Sequence, residues 1–214
     1  MSQLVPGEHL SSILGDAEKS MEFKRDVLRT LFEYLGASLL LLGRVHCDPH
    51  PKNILVHVVD GKFVLYVLDF GRCVEFTTEE KDALVGIFAN LLLLKRQDEH
   101  HTNREAVARY MNKLGLHTEQ DSTDGLVAMA LQIFDSADNG CASSCGVRLA
   151  EQGKLGNASD AAGVECLSIK VYSLMRMLML LGSFAEQVDD RELLNTAWFW
   201  YPIAERAREF EQAH

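Results

Sequence analysis

From Ser20 to Leu42 the apolar positions Phe23, Val27, Leu28, Leu31, Phe32, Leu35, Leu39 and Leu42 recur at helical spacing, with Lys24, Arg25, Asp26, Arg29 and Glu33 between them. That pattern predicts an amphipathic helix whose last turn, apolar all round, sinks into a core and is stopped by Gly43. The period then changes. Ile54 to Val59 and Phe63 to Leu68 are short β-rich runs on either side of Asp60-Gly61, which predicts a tight antiparallel hairpin. A hairpin returns its two outer ends to one place, so Asn53 and Asp69 are expected to be neighbours.

Helical spacing resumes after the hairpin. Thr77-Thr78-Glu79-Glu80 has the form of a capping box opening a helix to about Arg96, and Thr102-Asn103-Arg104-Glu105 that of a second, closed at Gly115. Further helices are expected from about Asp124 to Ser136, Val164 to Gln187 and Arg191 to Phe210. Residues 137–162 are rich in Gly, Ala, Ser and Asn without apolar periodicity, and read as a flexible insertion. Residues 1–19 are weakly patterned and read as a loosely ordered lead-in. The expected fold class is α+β and helix-dominant. Residues 20–136 form its core, and residues 163–214 supply the closing helices of the same domain.

Composition narrows the function. With 214 residues, 47% of them hydrophobic and 24% charged, the chain has the balance of an ordinary soluble globular protein. A formal charge of −10 argues against nucleic acid as a partner, because phosphate neutralisation needs clustered Lys and Arg. Five cysteines, an odd number without framework spacing, read as reduced thiols of an intracellular protein. No apolar run is long enough to predict a transmembrane helix. Residues 1–20 resemble neither a signal peptide nor a transit peptide, so the default compartment is cytoplasmic.

Two polar clusters flank the hairpin, and they carry the chemistry. His46-x-Asp48-x-x-x-x-Asn53 has the spacing of a kinase catalytic loop, and Asp69-Phe70-Gly71 follows the second strand. Phosphoryl transfer needs a carboxylate at the attacking hydroxyl and hard oxygen ligands for magnesium. In that scheme Asp48 is the hydroxyl-orienting base and Asn53 holds a magnesium ion through its amide oxygen. Asp69 holds the magnesium that bridges the outer phosphates of ATP, Gly71 permits the sharp turn beyond it, and His46 orients the loop. Each motif alone has a bland reading as a turn; their order and spacing around the hairpin make the stronger case. His57 and Cys73 read as packed side chains, and Met175, Met177 and Met179 as core filler. Trp198, Trp200 and Tyr201 either anchor the last helix or form a partner surface.

The run Asp48-Pro49-His50-Pro51-Lys52-Asn53-Ile54-Leu55-Val56, then Leu68-Asp69-Phe70-Gly71, resembles the UbiB/aarF-domain atypical kinase family. The resemblance extends from about Met21 to Leu116 and again, more faintly, over the closing helices. It implies a protein-kinase-like large lobe, binding of ATP and Mg2+, and a link to coenzyme Q or other isoprenoid-lipid metabolism. It also implies a mitochondrial or related location, often at a membrane surface. Lys52 stands where that family usually has Gly, and either adds a phosphate contact or obstructs the loop; with Asp69, Phe70 and Gly71 it completes the expected nucleotide-binding set. Residues 1–19 contain none of the nucleotide loop, strand lysine and helical glutamate of a kinase small lobe. The chain alone is therefore expected to be weakly active or inactive, with a small lobe or partner chain to be supplied. Three readings stand: an atypical kinase or ATPase, a non-catalytic pseudokinase interaction module, and a metal-dependent hydrolase using His46, Asp48, His50 and Asp69.

Overall fold

The computed structural model describes residues 5–95, 100–117, 122–134 and 168–212. The 137–162 insertion lies outside the described residues. The architecture is α+β with helix dominant, and the expected helices lie close to their sequence boundaries. Helix α2 (Met21–Leu40) is opened by Ser20, whose hydroxyl accepts the Phe23 N–H at 3.2 Å. Its apolar stripe, including Val27, Leu28, Leu31, Phe32, Leu35 and Leu39, is fully buried. The end of this helix differs from expectation. The helix stops at Leu40, Gly43 turns at φ +67°, and Leu42 is exposed rather than sunk into the core.

Strands β3 (Ile54–Val59) and β4 (Lys62–Val67) pair antiparallel from Ile54↔Val67 to Val59↔Lys62. Asp60 and Gly61 close the hairpin at φ 50° and 74°, both in the left-handed region that a two-residue turn of this twist requires. A separate two-stranded ladder joins β2 (Arg44–His46) to β5 (Cys73–Glu75), with His46 opposite Cys73. Cys73 is exposed rather than packed, because its place at the end of this small ladder turns it to solvent.

The lead-in also differs from expectation. Strand β1 (Glu8–His9) adds to the hairpin as a third strand beside β3, and α1 (Leu10–Gly15) buries Leu10 and Ile13 completely. Gly7, at φ +134°, lets the backbone approach so closely that a Cβ there would lie 2.9 Å from the Val56 carbonyl oxygen. Buried Lys24 donates from Nζ to the Leu14 carbonyl at 3.0 Å, tying the end of α1 to α2. Segments this short carry no readable period, so their order comes from what they pack against.

The remaining helices close the core. Helix α3 (Thr78–Lys95) begins at the Thr77–Glu80 capping box, in which the Thr77 N–H donates to Glu80 at 2.7 Å and the Glu80 N–H donates to Thr77 at 3.2 Å. Helix α4 (His100–Lys113) starts two residues ahead of Thr102, so the second box lies inside the helix and not at its entrance. Then come α5 (Thr123–Phe134), α6 (Ile169–Gln187), the single turn α7 (Arg191–Leu194) and α8 (Thr196–Gln212). Met175 and Met177 are buried in the core, and Trp200 is fully buried where α8 crosses α2 and α3. Its indole N–H donates to the Phe32 carbonyl at 2.9 Å. Trp198, on the same helix, is exposed.

Candidate functional site

The two polar clusters meet through a buried histidine. His46, at the end of β2, is almost wholly shielded from solvent. The Asp48 backbone N–H donates to its Nδ1 at 3.2 Å, so the ring proton must sit on Nε2. Nε2–H in turn donates to the carbonyls of Asp69 at 2.9 Å and Leu68 at 3.2 Å. One ring therefore joins the first cluster to the second. A second join is pure backbone: the Leu68 N–H donates to the Asn53 carbonyl at 2.7 Å, continuing the hairpin ladder one step past Ile54. A third is the Cys47 N–H to the Arg72 carbonyl at 3.0 Å, which continues the β2–β5 ladder.

Within the first cluster the chain turns tightly. The His50 N–H donates to the Asp48 carbonyl and the Asn53 N–H to the His50 carbonyl, each at 2.7 Å, while the Lys52 N–H donates to His50 Nδ1 at 3.2 Å. Pro49 is buried, Asp48 and Asn53 are half-buried, and the Lys52 side chain is exposed on the turn. Helix α1 supports this loop from outside, where the Ser11 N–H meets the Pro51 carbonyl at 3.4 Å.

In the second cluster the special conformation falls on the aspartate and not on the glycine. Asp69 has φ 58° and ψ 71°, whereas Gly71 is not among the residues of positive φ. Asp and Asn tolerate this region because a short polar side chain can bond locally, and here Asp69 Oδ1 accepts the Gly71 N–H at 3.3 Å. Gly71 serves a different purpose from the one its motif suggests: a Cβ there would sit 3.2 Å from that same Oδ1. The capping bond uses Oδ1. Phe70 is 58% exposed and meets the His46 ring edge-on with centroids 5.5 Å apart.

Two neighbours were not singled out by motif. Arg72, the last residue of the single 3-10 turn Phe70–Arg72, places Nε 3.6 Å from Asp48 Oδ2. Its only sequence signal is adjacency to the Asp-Phe-Gly triplet, since a lone exposed arginine says nothing of what it faces. Cys47 adjoins Asp48, but burial, with Cys73 close by, pushes its thiol up to about 12, so at neutral pH it packs as a neutral side chain.

The residue types at the site suit a hard, oxygen-seeking ion: half-buried Asn53 brings an amide oxygen and exposed Asp69 a carboxylate. They do not suit the hydrolase arrangement. His46 has both ring nitrogens committed, and His50 accepts a backbone N–H on Nδ1. Among the described residues no three His, Cys, Asp or Glu side chains converge as metal ligands.

A helix-dominant α+β chain that clamps H-x-D-x-x-x-x-N against D-F-G at one end of a hairpin has the layout of a kinase-like protein. Comparison with known proteins agrees. Residues 1–103 match the ABC1 atypical kinase-like domain, which bears out the atypical-kinase resemblance read from the motifs. The ABC1 family protein lscO of Purpureocillium lilacinum is 58% identical over 31 residues, which are 14% of this chain and 5% of that protein. The aligned part is thus a small fraction of that relative. Among the described residues no helix is long and apolar enough to cross a membrane.

Proposed function

We propose that the protein binds Mg-ATP and acts as an atypical kinase or ATPase, with Asp48, Asn53 and Asp69 as its working groups. The observation that carries this reading is the His46 bridge, which holds the base-bearing loop and the Asp69 turn in one fixed relation. Preorganisation of that kind is what phosphoryl transfer asks of a protein, because positioning and electrostatics supply nearly all of the catalysis. Asp48 orients the acceptor hydroxyl and takes its proton as the new oxygen–phosphorus bond forms. The bond from phosphorus to the bridging oxygen breaks, and ADP leaves with that electron pair. With water as the acceptor the same step is ATP hydrolysis. Asn53 and Asp69 would hold the magnesium ion, which would neutralise phosphate charge when bound. Lys52, Phe70 and Gly71, exposed on the same two loops, are assigned to nucleotide binding on the strength of the resemblance alone. By family resemblance the acceptor belongs to coenzyme Q or isoprenoid-lipid metabolism, and the place of action is a mitochondrial membrane surface.

A second reading, a pseudokinase interaction module, is supported by the exposed Phe70 ring beside the site. One experiment separates the two. The melting temperature of the purified chain is measured with and without Mg-ATP, beside Asp69→Asn. Nucleotide at about 100 times its dissociation constant stabilises a protein by about 2.7 kcal/mol. A magnesium-dependent rise that disappears in the variant supports the kinase-type reading. A folded chain that shows no rise supports the interaction module.

A further inference from the structure

We propose that Arg72 is the residue that contacts the terminal phosphate of the bound nucleotide, serving as an arginine supplied within the chain; this rests on the nucleotide-binding reading above. Three observations carry it. The first is placement. Asp48 has to sit at the hydroxyl that attacks phosphorus, and reacting atoms in such a complex lie about 3–3.5 Å apart. A guanidinium 3.6 Å from the Asp48 carboxylate is therefore at the junction of acceptor and phosphoryl group.

The second is anchorage. The Arg72 carbonyl accepts the Cys47 N–H at 3.0 Å, and the next residue pairs with His46 in the β2–β5 ladder. The backbone of Arg72 thus moves with the loop that carries Asp48, and only its side chain has to adjust to a ligand. The third is commitment. At 3.6 Å the contact with Asp48 is longer than a hydrogen bond, and the Arg72 side chain is 61% exposed. Its planar fork is left to grip a tetrahedral anion in the way lysine cannot.

The other cations nearby are placed differently. Arg44 donates from both Nε and Nη2 to Glu75, at 3.1 and 2.9 Å, and Lys52 is exposed on the turn after Pro51. The sequence left Lys52 either as a phosphate contact or as an obstruction of the loop, whereas Arg72 is the residue that reaches the base. Its charge would offset the negative charge spread over the phosphoryl oxygens during transfer, a role worth far more there than in binding alone.

The test titrates the full chain with Mg-ATP and Mg-ADP by calorimetry, comparing the wild type with Arg72→Gln, Arg72→Lys and Asp69→Asn. The expected result is that Arg72→Gln loses about tenfold or more in ATP affinity, the worth of one charge-assisted hydrogen bond, and keeps ADP affinity within about twofold. Arg72→Lys should fall between, and the melting temperatures without nucleotide should coincide, since Arg72 makes no buried contact. Equal losses for ATP and ADP overturn the proposal, because they mark a residue that only shapes the loop. A gain in ATP affinity overturns it too, as the sign of a latch on Asp48. An Asp69-dependent ATP signal indifferent to Arg72→Gln sinks the arginine assignment and leaves nucleotide binding standing. Absence of any wild-type signal overturns both.

Discussion

Two junctions in this molecule are pinned by the same bond. At the helical core, the Trp200 indole N–H donates to the Phe32 carbonyl at 2.9 Å; at the loop junction, the His46 Nε2–H donates to the Asp69 carbonyl at the same distance. Their surroundings differ. Trp200 lies among Phe88, Phe32 and the Gly36 backbone, packed so closely that a Cβ on Gly36 would fall 2.6 Å from its Nε1. His46 has Phe70, Asp69 and Asp48 about it, all partly or fully open to solvent. The core junction is over-determined by packing, and its hydrogen bond is one contribution among many. The loop junction hangs on a ring and a few backbone bonds, and its side chains stay available to a ligand. Stability and chemistry have been placed in different parts of the fold.

The largest expected effect belongs to the core. Trp200→Ala removes a fully buried aromatic ring and leaves a cavity, at a cost of about 3–5 kcal/mol. Urea unfolding monitored by circular dichroism measures it, and a loss under about 1 kcal/mol would contradict the packing described for α2, α3 and α8. His46→Ala should cost less, about 1–3 kcal/mol for its backbone bonds. Its effect on function should be the greater of the two. Under the proposed function, the rise in melting temperature expected with Mg-ATP should vanish while the variant stays folded. Retention of that rise would show that the loops keep their relation without the ring.

The smallest effect tests the capping box between the two regions. Burial by itself would raise the Glu80 carboxyl, but hydrogen bonds from Lys170 and Thr77 outweigh it and hold the group below the ordinary range. A folded value lowered in this way contributes stability that is fully present above the unfolded value of about 4.3 and is lost as pH falls through the folded one. Glu80→Gln keeps an acceptor for the Thr77 N–H but loses the charge that pairs with Lys170, and should therefore cost about 0.5 kcal/mol at neutral pH. The gap between variant and wild type should close below about pH 4. Melting curves of both proteins from pH 7 to pH 3 read this directly, and a gap that is unchanged in acid would rule out the charged form as its source.

Much of the fold was legible because its signals are local. The apolar period from Phe23 to Leu39, the Asp60-Gly61 turn and the Thr77–Glu80 box each lie within a few residues, and each marks the element the structure contains. The candidate site was legible in part for the same reason, since its loop spacing and its hairpin are sequential. What the chain by itself determined is therefore the elements and the order in which chemistry-bearing residues enter them. Tertiary structure alone decided the rest. Residues 8–15 are ordered by β3 and the core, not by any period of their own. The strained backbone lies at Asp69 and not at Gly71, because the His46 ring and the Gly71 N–H hold both ends of that residue. Arg72 meets Asp48 only because the β2–β5 ladder brings two distant stretches side by side. Contacts between residues far apart in the chain have no local signature, and the placement of a charge against another charge is such a contact.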